Sequence, residues 1–198
     1  MPLGLFEGVA DIRPGRELIF VRDVKQWSGA ETVNVDVSSH PVRSTVAIFV
    51  AEIIGVVTRE GDGDTALWNL ITETVDVIAR GSAVALANIP VAFLFRLASI
   101  LGVEPDIAEF SPGMGLDLQD GVFRRTRLLH DFWVGADEAR GVTVLAEAFD
   151  GYRHAALVRL PRSVRSRLLD GMIKFFTLHH FPLDKLRSPE ILKAVFAD

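Results

Sequence analysis

The sequence predicts a mainly α protein: a helical bundle with a small β-hairpin insertion, preceded by a β hairpin. Three observations carry this. From Ser38 onward, apolar residues recur at three- and four-residue steps in successive segments. That period breaks between Gly115 and Arg124, where Leu116, Leu118, Val122 and Phe123 flank Gln119-Asp120-Gly121. Asp-Gly between alternating apolar residues is a strong short-range hairpin signal. Before Ser38, the stretch Glu17–Val24 is rich in β-branched and aromatic residues.

The elements follow in order. Residues 3–12 are apolar with scattered acids, Pro14-Gly15 makes a turn, and Glu17–Val24 completes a two-stranded hairpin. A lone hairpin is marginal in water and leaves two edges unpaired, so this one is expected to belong to a larger sheet or to pair with another chain. Ser39-His40-Pro41 opens a helix with Val46, Phe49, Val50, Ile53, Ile54 and Val57 at helical spacing, ending near Arg59. After a Gly-Asp loop, Asp64 or Thr65 caps a second helix carrying Leu67, Leu70, Ile71, Val75 and Ile78, which Gly81 ends. A third helix is expected to open at Pro90 and stop before Gly102, with Phe93, Leu94, Leu97, Ala98, Ile100 and Leu101 on one side. It is apolar enough to demand burial, so the other helices should pack around it. It should run into an exposed hairpin at residues 115–124. Asp137 is expected to cap a helix reaching Phe149, and Pro161-Arg162-Ser163 opens a long one with Val164, Leu168, Met172, Phe175 and Phe176 inward, stopped at Phe181-Pro182. Ser188-Pro189-Glu190 starts the last, with Ile191, Leu192, Val195 and Phe196.

Composition narrows the function classes. The chain has 198 residues, 49% of them hydrophobic and 24% charged, which fits one compact domain or a domain with a small appendage. The absence of cysteine excludes disulfides, thiolate metal sites and a cysteine nucleophile. No apolar run is read as reaching the ~18 residues that span a bilayer, and the N-terminus has no basic n-region. The expectation is a soluble, cytoplasmic protein without membrane contact. The net charge of −5 is uneven: residues 1–122 hold 8 Lys/Arg against 17 Asp/Glu, and residues 123–198 hold 13 against 9. Either the basic C-terminal part docks a polyanion or acidic peptide, or the two parts neutralise each other.

Nothing in the sequence looks catalytic. There is no GxSxG, GxGxxG or P-loop motif. His179 and His180 are adjacent, so on a helix they point ~100° apart and cannot easily chelate one ion; a helix-end role suits them, and His40, His130 and His154 read as structural. Two basic constellations remain. Arg124, Arg125 and Arg127 directly follow the hairpin, with His130, Phe132 and Trp133 behind them. They could hold a phosphate backbone beside a stacking ring, or simply form a solvated hairpin end. The second set is Arg159, Arg162, Arg165, Arg167 and Lys174. Arg167, Asp170 and Lys174 share a face and can form i,i+3 and i,i+4 pairs. Arg162 and Arg165 have no acid at i+4, which makes them the better anion candidates. Leu168, Leu169, Met172 and Phe176 are the candidate lining of an apolar groove beside them.

The order and spacing of four segments carry a resemblance. PVRSTVAIFVAEII, FLFRLASILGVEPDIAEFSPGMGLDLQDGVF, LVRLPRSVRSRLLDGMIKFFTLHHF and LDKLRSPEILKAVF together resemble the RecO recombination-mediator family, in the cysteine-free version of Bacteroidetes-like bacteria. The similarity runs from about Arg16 to the end. It implies an N-terminal OB-fold, of which residues 1–37 would be the last hairpin and linker. It also implies a helical domain over residues 38–198, with a β insertion at about 104–133 where relatives carry a zinc ribbon. The four ribbon cysteines are missing here, so no zinc or other cofactor is carried over. The resemblance further implies a non-enzymatic role. Such proteins bind single- and double-stranded DNA, anneal strands, bind the acidic C-terminal tail of single-stranded-DNA-binding protein, and with RecR assist RecA loading in the RecFOR pathway. Most of an OB-fold is expected to be encoded upstream of Met1. Two other possibilities stay open: a protein-docking helical module without DNA binding of its own, and a histidine- or metal-dependent hydrolase. Held by apolar packing alone, the insertion should melt at the same temperature with and without a chelator; a chelator-induced drop of several degrees would overturn this.

Overall fold

The computed structural model describes residues 6–11, 20–26, 40–58, 64–147 and 158–196. Strands β1 (Phe6–Asp11) and β2 (Phe20–Gln26) pair antiparallel, with a register shift between Glu7 and Val9. Helix α1 (Pro41–Val57) starts with proline at its first position and buries Val46, Phe49, Val50 and Ile53. Helix α2 (Thr65–Arg80) is capped by Asp64, whose carboxylate accepts from the Ala66 and Leu67 N–H groups at 2.7 and 3.1 Å. At its far end Arg43 of α1 donates to the carbonyls of Ile78 and Gly81, satisfying acceptors that the helix leaves open.

Helix α3 (Ala83–Ile100) is the centre. It touches α1 and α2 on one side and, on the other, α4 (Ala136–Glu147) and α5 (Arg162–Leu178). It begins seven residues before the expected start, where the Ser82 hydroxyl accepts from the Ala85 N–H at 3.2 Å. Pro90 therefore sits inside the helix rather than at its opening. An internal proline costs ~3 kcal/mol. Leu86, Ile89, Phe93, Leu94 and Leu97 are all buried around it, and each large side chain taken from water returns ~1.5–3 kcal/mol, so packing outweighs the lost hydrogen bond. By length and composition α3 could also cross a membrane, against the sequence expectation, but 67% of it is buried within the bundle. The chain leaves α3 through paired bonds, Gly102 N–H to Ser99 O and Val103 N–H to Ala98 O, a Schellman closure.

The insertion is not an exposed hairpin. Strand β3 (Gly115–Asp117) lies between β4 (Val122–Arg124) and β5 (Trp133–Val134), antiparallel to both. Leu116 and Asp117 are fully buried, and Leu118 and Phe123 nearly so. Gly121 turns the hairpin at φ 69°. Gly115 is needed for a different reason: a Cβ there would strike the Trp133 indole.

Several other expectations change. Asp137 lies in the first turn of α4 and does not cap it, and Phe149 and His154 fall outside the described residues. Arg167, Asp170 and Lys174 do not pair with one another. Arg167 binds Glu138 of α4, Asp170 binds Lys193 at 2.6 Å, and Lys174 lies 4.7 Å from the Phe132 ring centroid. In the last helix, α6 (Ser188–Val195), Leu192 is buried but Ile191 is 54% exposed. His179 and His180 do close α5: His179 Nδ1 meets Phe175 O at 2.8 Å, while His180 takes φ 72°, a left-handed position usually given to glycine.

One polar contact pins α6 to α1. The Glu52 carboxylate accepts from both the N–H and the hydroxyl of Ser188, at 3.0 and 2.6 Å, at the first turn of α6. Burial alone would raise the Glu52 pKa. The Ser188 hydrogen bonds and the Arg187 charge outweigh it and leave the group below its ordinary 4.5. A depressed carboxylate contributes stability above its unfolded pKa, which is lost as pH falls through the folded one. Glu52→Ala should therefore cost ~1–3 kcal/mol in denaturant unfolding at neutral pH, and the gap from wild type should narrow as the pH falls below the ordinary carboxylate value of 4.5. A gap that does not narrow in acid would count against this contact.

Candidate functional site

The start of α5 builds a basic cleft. Pro161 precedes the helix, so Arg162 and Arg165 fall on its first turn, where unpaired N–H groups and the positive end of the dipole favour anions. The cleft is shallow and partly open to solvent. Pro90 and Val91 of α3 line it, with Leu169 of α5 and Leu192 and Phe196 of the last helix. Arg162, Arg165 and Lys193 bring the cations.

These cations differ. Lys193 is neutralised by Asp170 at 2.6 Å and Glu190 at 3.0 Å; Asp170 above all holds its pKa above the ordinary value. Arg165 is half-buried and donates to Leu160 O at 2.8 Å. Burial first, and then the neighbouring charge of Arg162, pull its pKa below the ordinary value. No carboxylate among the described residues pairs with it. A partly desolvated guanidinium in that state gains from any anion that reaches it.

Of the expected site residues, Arg162, Arg165 and Leu169 come together here. Leu168, Met172 and Phe176 do not; they are buried in the bundle core and line no groove. Arg159 is exposed, just ahead of α5, outside the cleft lining. The contributions of Pro90, Val91, Leu192, Lys193 and Phe196 were missed. The sequence reading counts Pro90 as a helix start and Leu192 and Phe196 as plain core, and periodicity does not show which two helices meet.

The arginines after the hairpin separate into roles. Arg124 is not available to an outside anion: its Nε lies 3.2 Å from Asp117 and its NH2 2.7 Å from Asp120, and these two, Asp120 first, raise its pKa. Arg125 is exposed, and Arg127 makes only a 3.3 Å pair with the exposed Asp131. Asp117 is a hub. Besides Arg124 it takes the N–H groups of Gln119 and Asp120 at 3.0 and 3.4 Å, and His130 Nε2 stands 3.5 Å away. Among the described residues no cluster of three or more metal-ligating side chains occurs. Asp117→Ala removes one of the two carboxylates that hold Arg124 and the acceptor for two N–H groups at once, and should lower the melting midpoint by several degrees. Asp117→Asn, which keeps an acceptor for the turn, should cost less; equal loss in both would show that the acceptor does not matter.

Comparison with known proteins adds the following. Residues 38–111 match the family described as Recombination protein O C terminal. The chain is 26% identical over 195 residues to the DNA repair protein RecO of Azobacteroides pseudotrichonymphae, covering 98% of this chain and 78% of the relative. It is 28% identical over 199 residues to that of Porphyromonas gingivalis, with the same coverage. To that of Bacteroides fragilis it is 28% identical over 198 residues, again covering 98% and 78%. No solved structure matches the chain.

Proposed function

We propose that this chain is a RecO-like protein and that it serves DNA repair and recombination by docking partners rather than by catalysis, a reading supported by the match of residues 38–111 and by the similar relatives. Its relatives are named DNA repair proteins, which supports that general role. The finer role is a mediator in the RecFOR pathway. It binds single- and double-stranded DNA and RecR, grips the acidic C-terminal tail of single-stranded-DNA-binding protein, and so assists RecA loading. The observation that carries the tail contact is Arg165, half-buried and matched by no carboxylate among the described residues, on the rim of an apolar cleft. An acidic peptide ending in an aromatic residue suits both features: its carboxylates meet Arg162 and Arg165, and its ring enters between Leu169 and Phe196.

The test is a titration of the chain with a labelled acidic tail peptide at low and moderate salt. Arg162→Ala with Arg165→Ala should cost ~1–3 kcal/mol of binding, more at low salt than at moderate salt. The helix should survive, since alanine is the best helix former. Phe196→Ala should weaken binding with little change in salt dependence. Unchanged affinity of the double variant at both salts, with an intact circular dichroism spectrum, would remove the cleft from the reading. Peptide binding without any oligonucleotide binding would favour a docking module over a mediator.

A further inference from the structure

The connection between β4 and β5 has a shape that its neighbours do not need. The two strands flank β3 on opposite edges, with Arg124 opposite Gly115 and Trp133 opposite Asp117. Residues 125–132 must therefore run back along the sheet from one end of β3 to the other. At one root Arg124 is bound to the buried Asp117 carboxylate at 3.2 Å, and near the other His130 Nε2 stands 3.5 Å from the same carboxylate. The His130 ring also accepts from the Phe132 N–H at 3.3 Å and lies 5.6 Å from the Phe132 ring. The base is fixed and the tip stands clear. At that tip Leu129 is 107% exposed and Leu128 is 40% exposed, beside the exposed Arg125 and Arg127.

A single exposed leucine is ordinary. A leucine pair on a firmly rooted tip, beside two arginines, is a different object. We propose that this tip is a wedge for DNA: Arg125 and Arg127 hold backbone phosphates, while Leu128 and Leu129 enter between base pairs where stacking is already weakened, as at a junction of duplex and single strand. The inference rests on the DNA-repair reading above and adds to it a second contact surface with a distinct task. Apolar wedges of this kind partly unstack a base step, and the arginines offset the cost through the backbone. The Arg127–Asp131 pair is no obstacle, because both groups are well exposed and such pairs contribute little. A bilayer fits the tip less well: two leucines bury far less than the acyl chain that by itself gives only marginal anchoring.

The test uses the full chain and a duplex with a single-stranded tail, carrying 2-aminopurine at the first paired step. The wild-type chain should raise the 2-aminopurine fluorescence on binding. Leu128→Ser with Leu129→Ser should abolish that rise, lower junction affinity on the order of tenfold, and leave the salt dependence unchanged. Arg125→Ala with Arg127→Ala should weaken binding and reduce the slope of log affinity against log salt by about 2. Melting midpoints of all variants should match wild type, since the altered side chains are exposed. Wild-type DNA binding with fluorescence and affinity untouched by the serine variant would overturn the wedge and leave the DNA-repair reading standing. No binding to any oligonucleotide, even at low salt, would overturn both. Binding to anionic phospholipid vesicles that the serine variant loses, with junction binding unaltered, would overturn the wedge in favour of a membrane contact.

Discussion

The structure depends on enclosing one helix. Nearly every residue of α3 from Ala85 to Ala98 is buried, Asn88 and Pro90 among them. A helix apolar all round must be covered all round. Helices α1, α2, α4 and α5 supply that cover, α6 closes over α1, and the three-stranded sheet packs against α4 and α5. The arrangement of the bundle follows from this single demand. The charged contacts mostly join elements that the apolar core has already brought together: Arg43 to the end of α2, Glu52 to the start of α6, Arg167 to α4.

The basic cleft is a consequence of the same packing. Where α3, α5 and α6 meet, the proline at the middle of α3 presents a ring and no N–H, and the apolar residues facing it leave a gap. The first turn of α5 ends at that gap, so its arginines stand at the edge of an apolar surface and not over open solvent. Lys193, bound by two carboxylates, shows what the ordinary outcome would have been. Arg165 is half-buried and bonds to a backbone carbonyl instead. Its position is set by the helix start, and no acid among the described residues pairs with it.

Much of this was legible in the residues. Asp64 and Pro41 mark helix starts by local chemistry that tertiary structure does not override, and both begin helices as expected. The hairpin around Asp120-Gly121 is likewise local. What escaped the sequence is whatever depends on a second element. Pro90 carries a strong local preference for a helix start, and only burial on both sides defeats it. Trp133 and Val134 form a strand too short to show a period, so the hairpin looked two-stranded and exposed when β5 and the bundle in fact enclose it. The stripe of Leu168, Met172 and Phe176 is wider than one contact needs because α5 meets α3, α4, β5 and the turn at Leu183–Lys185, not because one side is free. Which side of α5 stays open is decided by where α6 comes to lie, and no period within α5 records that.

The Asp117 hub has a consequence for the chemistry that the insertion can survive. A cluster in which one buried carboxylate gathers an arginine, a histidine and two amide N–H groups does the tying that thiolates around a metal do elsewhere. It contains no sulfur, so disulfide stress meets no thiol there. Its vulnerability is concentrated instead of shared: four ligands can weaken one at a time, whereas here the hairpin turn and one root of the exposed tip both bond to the two oxygens of one side chain.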